Sequence, residues 1–216
     1  MASTTEAIIQ FGILILTLSL FFLTHYLRNQ KTHNKTRTRN KTHQPEPTRH
    51  LNQALHHLNR ARSTTNRSQH AKNSLFEANQ ALSISPRDPS IHILRAKALH
   101  LMNHRTAAIK SLDTAFSLPS AKMLSSEERA DALVFRAEMK LEVNRRRRVE
   151  SAMEDIVEAI GLSGGEECEN LEALCLLGKC YEWKGMREEA KNVFQKVLDF
   201  EPDSVEALGG LKRLGP

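Results

Sequence analysis

The feature that most constrains this chain is a short pattern that recurs at a fixed interval. The pairs Arg95-Ala96, Arg136-Ala137 and Leu177-Gly178 stand 41 residues apart, each in a stretch with the three- and four-residue apolar spacing of a helix. Short helices cannot each bury an apolar face alone, so we predict an all-α fold of stacked antiparallel helix pairs. A second apolar stretch follows each pair, and its three residues have the same internal spacing in every copy: Ala108, Leu112 and Ala115; Ala152, Ile156 and Ala159; Ala190, Phe194 and Val197.

The last copy of the pattern, residues 171–204, is the most complete. Small residues at Gly178 and Ala190 predict a close approach of its two helices, with Phe194 filling the space beside them. Gly185 permits a tight turn between the helices, and Pro202 stops the second one.

This spacing resembles the consensus of the tetratricopeptide repeat (TPR), in which W-x2-L-G-x2-Y is followed by A-x3-F and a final proline. Leu174 replaces the Trp, and Val197 stands where alanine is usual. The resemblance implies a TPR-like solenoid over residues 50–214; a generic helical-hairpin solenoid is the alternative. The predicted units are 50–88, 89–125, 126–169 and 170–204, with a capping helix at 205–214.

In the TPR family the first helices of successive units line a concave groove that binds peptides or partner helices. One subclass binds the C-terminal carboxylates of heat-shock chaperones through Lys, Asn and Arg. Here the corresponding positions hold Lys97, Glu138 and Lys179, and Glu138 would repel a carboxylate. The groove residues implied by the resemblance are Ile93, Lys97, His100, Val134, Glu138, Leu141, Cys175, Lys179 and Glu182.

An uncharged apolar run at residues 7–27 predicts a single transmembrane helix within an anchor at 1–27. At about 1.5 Å per residue the run spans roughly 31 Å, the thickness of a bilayer core. A cleaved signal peptide is the alternative, but the run is long, no basic residue precedes it and no small-residue cleavage site follows.

Residues 28–49 form a predicted flexible linker that is polar and basic. The whole chain has a net charge of +6, and this segment alone carries +6. The positive-inside rule therefore places the repeat domain in the cytosol, at the ER or at a mitochondrial or plastid outer membrane. Six bases are expected at the membrane surface: Arg28, Lys31, Lys35, Arg37, Arg39 and Lys41.

Four consecutive arginines, Arg145, Arg146, Arg147 and Arg148, are the sharpest local charge feature. The interval from Ala137 to Ala152 is three residues longer than the corresponding interval in the other units. The arginines are therefore predicted in a lengthened turn outside the packed helices. A solvated turn, or contact with anionic headgroups or an acidic partner, would account for them.

No catalytic, metal-binding or phosphate-binding motif is present in the sequence. Cys168, Cys175 and Cys180 do not have the spacing of metal ligands, and we expect them to be buried thiols.

We therefore expect a non-enzymatic, membrane-anchored scaffold or adaptor that binds a protein partner, of the co-chaperone or targeting-factor kind. We expect no cofactor, metal or small-molecule substrate. A nucleic-acid-binding repeat is disfavoured, since aromatic residues make up only 5% of the chain, and an enzyme-accessory subunit stays open as an alternative.

Overall fold

The computed structural model of the chain describes residues 46–162 and 170–215, and every regular element in these two ranges is a helix. A single residue, Asn144, with non-helical backbone (φ −159°, ψ 90°) divides the helical stretch Ser126–Leu162 into two helices. The predicted all-α fold is confirmed for the described residues. The elements are α1 (Glu46–Ser63), α2 (Arg67–Ile84), α3 (Pro89–Leu101), α4 (Arg105–Ser117), a 3-10 helix (Pro119–Met123), α5 (residues 126–143), α6 (residues 145–162), α7 (Leu171–Lys184), α8 (Arg187–Phe200) and α9 (Val205–Leu214).

Successive helices pack against one another as pairs. Short connections make neighbours antiparallel, so that α1 pairs with α2, α3 with α4, α5 with α6 and α7 with α8. The last helix, α9, packs on both α7 and α8. The first helices of neighbouring pairs are also in contact with each other, as α1 and α3 are. The first helices therefore share one face of the stack.

Side-chain caps and one glycine set where several helices begin and end. Ser125 and Glu128 form a reciprocal capping box before α5: the Ser125 N–H donates to Glu128 Oε2 (3.2 Å), and the Glu128 N–H donates to Ser125 Oγ (3.1 Å). Asp88 caps α3 by accepting from the Ser90 N–H at 2.9 Å. Gly185 ends α7 with φ of 76°, a left-handed conformation that glycine adopts without steric cost.

Two sequence predictions are wrong at the ends of helices. Residues 46–49, assigned to the linker, begin α1, where Pro47 is tolerated because a first-turn N–H has no helical acceptor. Arg145–Arg148 form the first turn of α6 rather than a lengthened turn. Asn144 alone makes the break, and its Oδ1 accepts from the Arg147 N–H at 3.1 Å. The extra residues of this unit therefore lengthen its helices.

The predicted anchor at 1–27 and linker residues 28–45, with all six of the linker bases named above, lie outside the described residues. None of the helices in the described ranges is long and apolar enough to cross a membrane.

The core of the last pair is built around Phe194, whose side chain is fully buried. A Cβ placed on Gly178 of α7 would lie 2.6 Å from a carbon of this ring, and one on Gly210 of α9 would lie 2.4 Å from another. Side chains essentially never approach below 3.0 Å at Cβ. Glycine at these two positions is therefore what lets one aromatic ring join three helices.

We expect Gly178→Ala to destabilise the repeat domain by about 1–3 kcal/mol, because the added methyl overlaps a ring confined in a packed core. Gly161→Ala is the matched control, since a Cβ on this glycine of α6 would meet nothing within 4 Å. That change should be neutral or stabilising by up to about 1 kcal/mol. Urea unfolding followed by circular dichroism measures both, and equal midpoints would contradict the packing role of Gly178.

A buried cluster of charges joins α4, α5 and α6. Asp155 of α6 is 4% exposed and accepts from Arg136 Nε at 2.9 Å and Nη2 at 2.6 Å. Lys140 Nζ lies 2.7 Å from Oδ2 of the same Asp155 side chain. Arg136 also contacts α4, where its guanidinium lies 4.5 Å from the ring centroid of Phe116 and 3.2 Å from Asp113. The Asp155 carboxylate thus bridges two cations that the fold has largely withdrawn from water, and Asp113 supplies a second negative charge to Arg136.

We expect Asp155→Ala to cost about 3–5 kcal/mol of unfolding free energy, because it leaves Lys140 without a carboxylate and Arg136 with only the exposed Asp113. Glu182→Ala is a suitable comparison, since it breaks an ion pair to Arg213, a cation that is 52% exposed. Removing that pair should cost only about 0.2–1 kcal/mol. Denaturant midpoints give both values, and a loss at Asp155 no larger than that at Glu182 would refute the role of the cluster.

Candidate functional site

The first helices line four adjoining cavities on the face that they share, and we name these cavities together the groove. Their volumes are about 280 Å³ between α1 and α3, 520 Å³ between α3 and α5, and 510 and 360 Å³ for two cavities that both lie beside α5, α7 and α9. Neighbouring cavities share lining residues: Lys97 borders the first and second, His100 the second and third, and Lys179 the third and fourth. Glu138 borders three of the four and so marks the centre of the groove.

The nine groove residues implied by the TPR resemblance all line these cavities. Three of them form an apolar floor, with Ile93 8%, Val134 4% and Leu141 6% exposed. The other six are half-buried and present polar groups above the floor: Lys97, His100, Glu138, Cys175, Lys179 and Glu182. The fold therefore brings together residues that lie far apart in the chain.

Three half-buried charges follow one another along the groove. Lys97 on α3, Glu138 on α5 and Lys179 on α7 occupy the same position of consecutive units, 41 residues apart. None of the three makes a hydrogen bond or an ion pair with any other residue in the described ranges. Charges that are partly desolvated without a partner destabilise the protein that carries them, and a bound group of opposite charge would offset that cost.

The surroundings of these charges disfavour ionisation. Burial raises the pKa of the Glu138 carboxyl, and the neighbouring Glu172 and Glu142 raise it further, while Lys179 opposes them. Burial likewise lowers the pKa of Lys97, as does Arg62.

His100 lies between these two residues along the groove. Burial is the main cause that lowers its pKa, which favours the neutral imidazole. Its ring packs edge-on against Phe135 with 5.4 Å between centroids, and its Nδ1 is buried without a partner in the described residues. The residue therefore supplies a neutral polar edge to the groove.

Ion pairs and stacking engage the charges at the distal end of the groove. Arg213 of α9 donates two hydrogen bonds to Glu182, at 2.7 and 2.8 Å, and Arg105 donates to Glu142. Arg145 places its guanidinium 4.0 Å from the ring centroid of Trp183, a cation–π contact. These contacts contrast with the three unpaired charges nearer the centre.

Arg145 and Trp183 are groove residues that the sequence analysis missed. For Trp183 the signal was helical spacing, since it follows Lys179 by four residues on α7. Arg145 lies beyond the break at Asn144, so its spacing from Leu141 gave no such signal. Trp183 is 38% exposed. Of the other three arginines, Arg146 and Arg147 are exposed and Arg148 is half-buried.

The thiols of the described residues are not activated. Cys180 is fully buried, and burial raises its pKa to about 11. Burial also raises the pKa of Cys175, which lines the groove. Within residues 46–162 and 170–215 no three His, Cys, Asp or Glu side chains are grouped to hold a metal ion. Cys168 lies outside these ranges. The groove is thus suited to binding by charge and apolar contact.

Comparison with known families supports a repeat in the last unit. Residues 171–204 match the tetratricopeptide repeat family. No match was found among curated protein sequences.

Solved structures are similar to the chain over most of its length. They include MamA protein (TM-score 0.61, 15% identity, 78% of this chain and 80% of that chain covered). They also include pilF of Pseudomonas aeruginosa (TM-score 0.57, 17% identity, 78% of this chain and 67% of that chain covered). A third is a Podospora anserina protein with nearly identical TPR-like repeats (TM-score 0.57, 16% identity, 78% of this chain and 84% of that chain covered). At these identities the likeness concerns the fold alone. Together with the family match, it makes the chain a TPR-like helical repeat protein.

Proposed function

We propose that this chain is a non-enzymatic adaptor whose groove binds a segment of a protein partner at a membrane surface. The observation that carries the proposal is the combination of an apolar floor with charges that have no partner among the described residues, along four adjoining cavities. An apolar floor supplies affinity through burial, and charges at fixed positions supply orientation and selectivity.

The groove has room for a short segment of chain. It crosses the first helices of four pairs, whose axes in packed helices lie about 8–10 Å apart, so that it is roughly 25–30 Å long. An extended chain rises about 3.3 Å per residue, so the groove accommodates roughly eight or nine residues. This matches the size of a linear recognition motif rather than that of a folded domain.

The charges of the groove argue against nucleic acid as the ligand. A phosphate backbone requires a continuous row of cations. Here Asp131, Glu138, Glu142 and Glu172 lie among the lysines and arginines that line the same cavities. A protein segment, which can carry charges of both signs, fits this mixture better.

The membrane part of the proposal rests on residues 1–49 of the sequence. The uncharged run at 7–27 is long enough to span a bilayer, and by the positive-inside rule the bases that follow it favour a cytosolic repeat domain. The ER and the outer membranes of mitochondria or plastids are the candidate locations. Anchoring confines the groove to that surface and raises the effective concentration of a partner there.

We expect the full chain to stay in the membrane fraction after alkaline extraction of cells that express it. Replacing Leu16 and Leu18 by lysine should release it, because each charge at the centre of a span costs about 2.5–3.5 kcal/mol. Replacing both residues by isoleucine is the control and should leave the chain in the membrane. Release of the unchanged chain would refute the anchor.

The proposed orientation has a separate test in three glycosylation sequons that begin at Asn34, Asn40 and Asn66. In a cytosolic domain all three should stay unmodified. A glycosidase-sensitive increase in mass would contradict the orientation while leaving the anchor in place.

We expect the groove to determine which proteins are labelled by a proximity enzyme fused to the full chain. Lys97→Glu combined with Lys179→Glu reverses two groove charges and should remove most labelled partners. The matched control, Lys72→Glu with Lys110→Glu, makes the same change in net charge at exposed positions of α2 and α4, outside the groove. Circular dichroism checks the fold of both variants. An unchanged set of partners in the folded groove variant would refute the proposal.

A further inference from the structure

The order of the unpaired groove charges specifies the chemistry of the partner, provided that the proposed function holds. Along the groove the signs alternate as Lys97, Glu138, Lys179. We propose that the groove selects an extended segment of a protein in which one basic side chain lies between two acidic ones. The basic side chain pairs with Glu138, and the acidic ones pair with Lys97 and Lys179.

These three charges differ from their neighbours in being left for an external partner. Glu142 is paired with Arg105, Glu182 with Arg213, and Asp155 with Arg136 and Lys140. In the described ranges no such pairing is made by the Lys97, Glu138 or Lys179 side chains. A charge supplied by a bound segment would offset the desolvation that the fold imposes on each of them.

The charged residues around Glu138 add to the preference for a basic side chain of the bound segment at the centre of the groove. Glu142 and Glu172 lie close enough to Glu138 to disfavour its negative charge and Lys179 favours it, so carboxylates outnumber the cation around this point of the groove. Near Lys97 the balance is more even, because Arg62 adds positive charge while Asp131 and Glu128 oppose it. The pairing with Glu138 is therefore the most selective contact of the three.

The spacing of the charges matches a chain in polyproline II conformation. Helices in direct contact have axes about 8–10 Å apart, and we take this distance for the step from one first helix to the next. A polyproline II chain has three residues per turn and rises about 3.1 Å per residue, so side chains at i, i+3 and i+6 share one face about 9.3 Å apart. The expected motif is acid-x-x-base-x-x-acid, a pattern that is the same in either chain direction.

The motif excludes two simpler ligands. A uniformly acidic tail, or a segment that ends in a free carboxylate at the centre of the groove, would place negative charge against Glu138. A uniformly basic segment would pair at the centre but meet Lys97 and Lys179 at its ends. Like charges brought together in a partly desolvated site are strongly unfavourable, so both should be rejected.

The test is a selection of short peptides of random sequence, with blocked ends, on the full chain held in detergent micelles. The unchanged protein should enrich peptides with the acid-x-x-base-x-x-acid spacing. Fluorescence anisotropy with one enriched peptide should then show binding weakened about tenfold or more by Glu138→Lys. Replacing the basic residue of the peptide by glutamate should restore binding to that variant.

Two further variants separate charge from folding. Glu138→Gln removes the charge at nearly constant shape and should also weaken binding, though less than charge reversal. Glu154→Lys, at an exposed position of α6 outside the groove, should leave binding unchanged. If Glu138→Gln binds the peptide as well as the unchanged protein does, the proposed pairing is wrong.

The outcomes distinguish this inference from the proposed function. Enriched peptides that are uniformly acidic, and that lose binding in the Lys97→Glu and Lys179→Glu variant, would overturn the motif but leave the groove as the binding site. Enriched peptides whose binding ignores all groove substitutions, or no enriched peptides at all, would overturn both.

Discussion

The close crossing of paired helices at small buried residues is the constraint on which the rest of the structure depends. Ala96 and Ala137 are fully buried, and Gly178 is buried against the ring of Phe194. The residue after each of them is a groove charge: Lys97, Glu138 or Lys179. Successive residues of an α-helix are turned by about 100°, so holding the small residue against the second helix holds the next side chain at the edge of the groove. The rotation of each first helix at its crossing therefore sets both the packing of the core and the position of the groove charge.

The domain uses charge in two different ways. Arg136, Lys140 and Asp155 lie between helices, where they satisfy one another and tie α5 to α6 and α4. The groove charges lie at the surface of the stack and find no such partner among the described residues. A buried network that is fully paired adds no binding capacity, whereas a half-buried charge without a partner weakens the domain alone and strengthens it in a complex. Position relative to the helix crossing decides which of the two roles a charge has.

Periodicity made the helices predictable, because small and apolar residues recur at positions that only one face of a helix can occupy. The groove face, with Ile93, Val134 and Leu141, was implied instead by the resemblance to the TPR consensus. Single-residue effects were not predictable. One non-helical residue, Asn144, sufficed to reverse the chain because its own side chain caps the next helix. Asp155 lies three residues after Ala152 on a buried face, yet nothing in the sequence indicates that Arg136, 19 residues before it, turns to meet it. Contacts of that kind depend on the packed geometry of two helices rather than on local pattern.

The alternation of charge also determines the distance over which the groove acts. At physiological ionic strength the Debye length is about 8 Å, close to the spacing of about 8–10 Å between neighbouring groove charges. Beyond that distance the fields of Lys97, Glu138 and Lys179 largely cancel, so the groove attracts neither acidic nor basic chains from afar. A uniformly charged groove would speed association but would also bind any segment of opposite sign. With alternating charges, discrimination arises only at contact, where each partner charge meets a single site in a given order. Selectivity in such a groove therefore comes from the sequence of charges along it and not from its net charge.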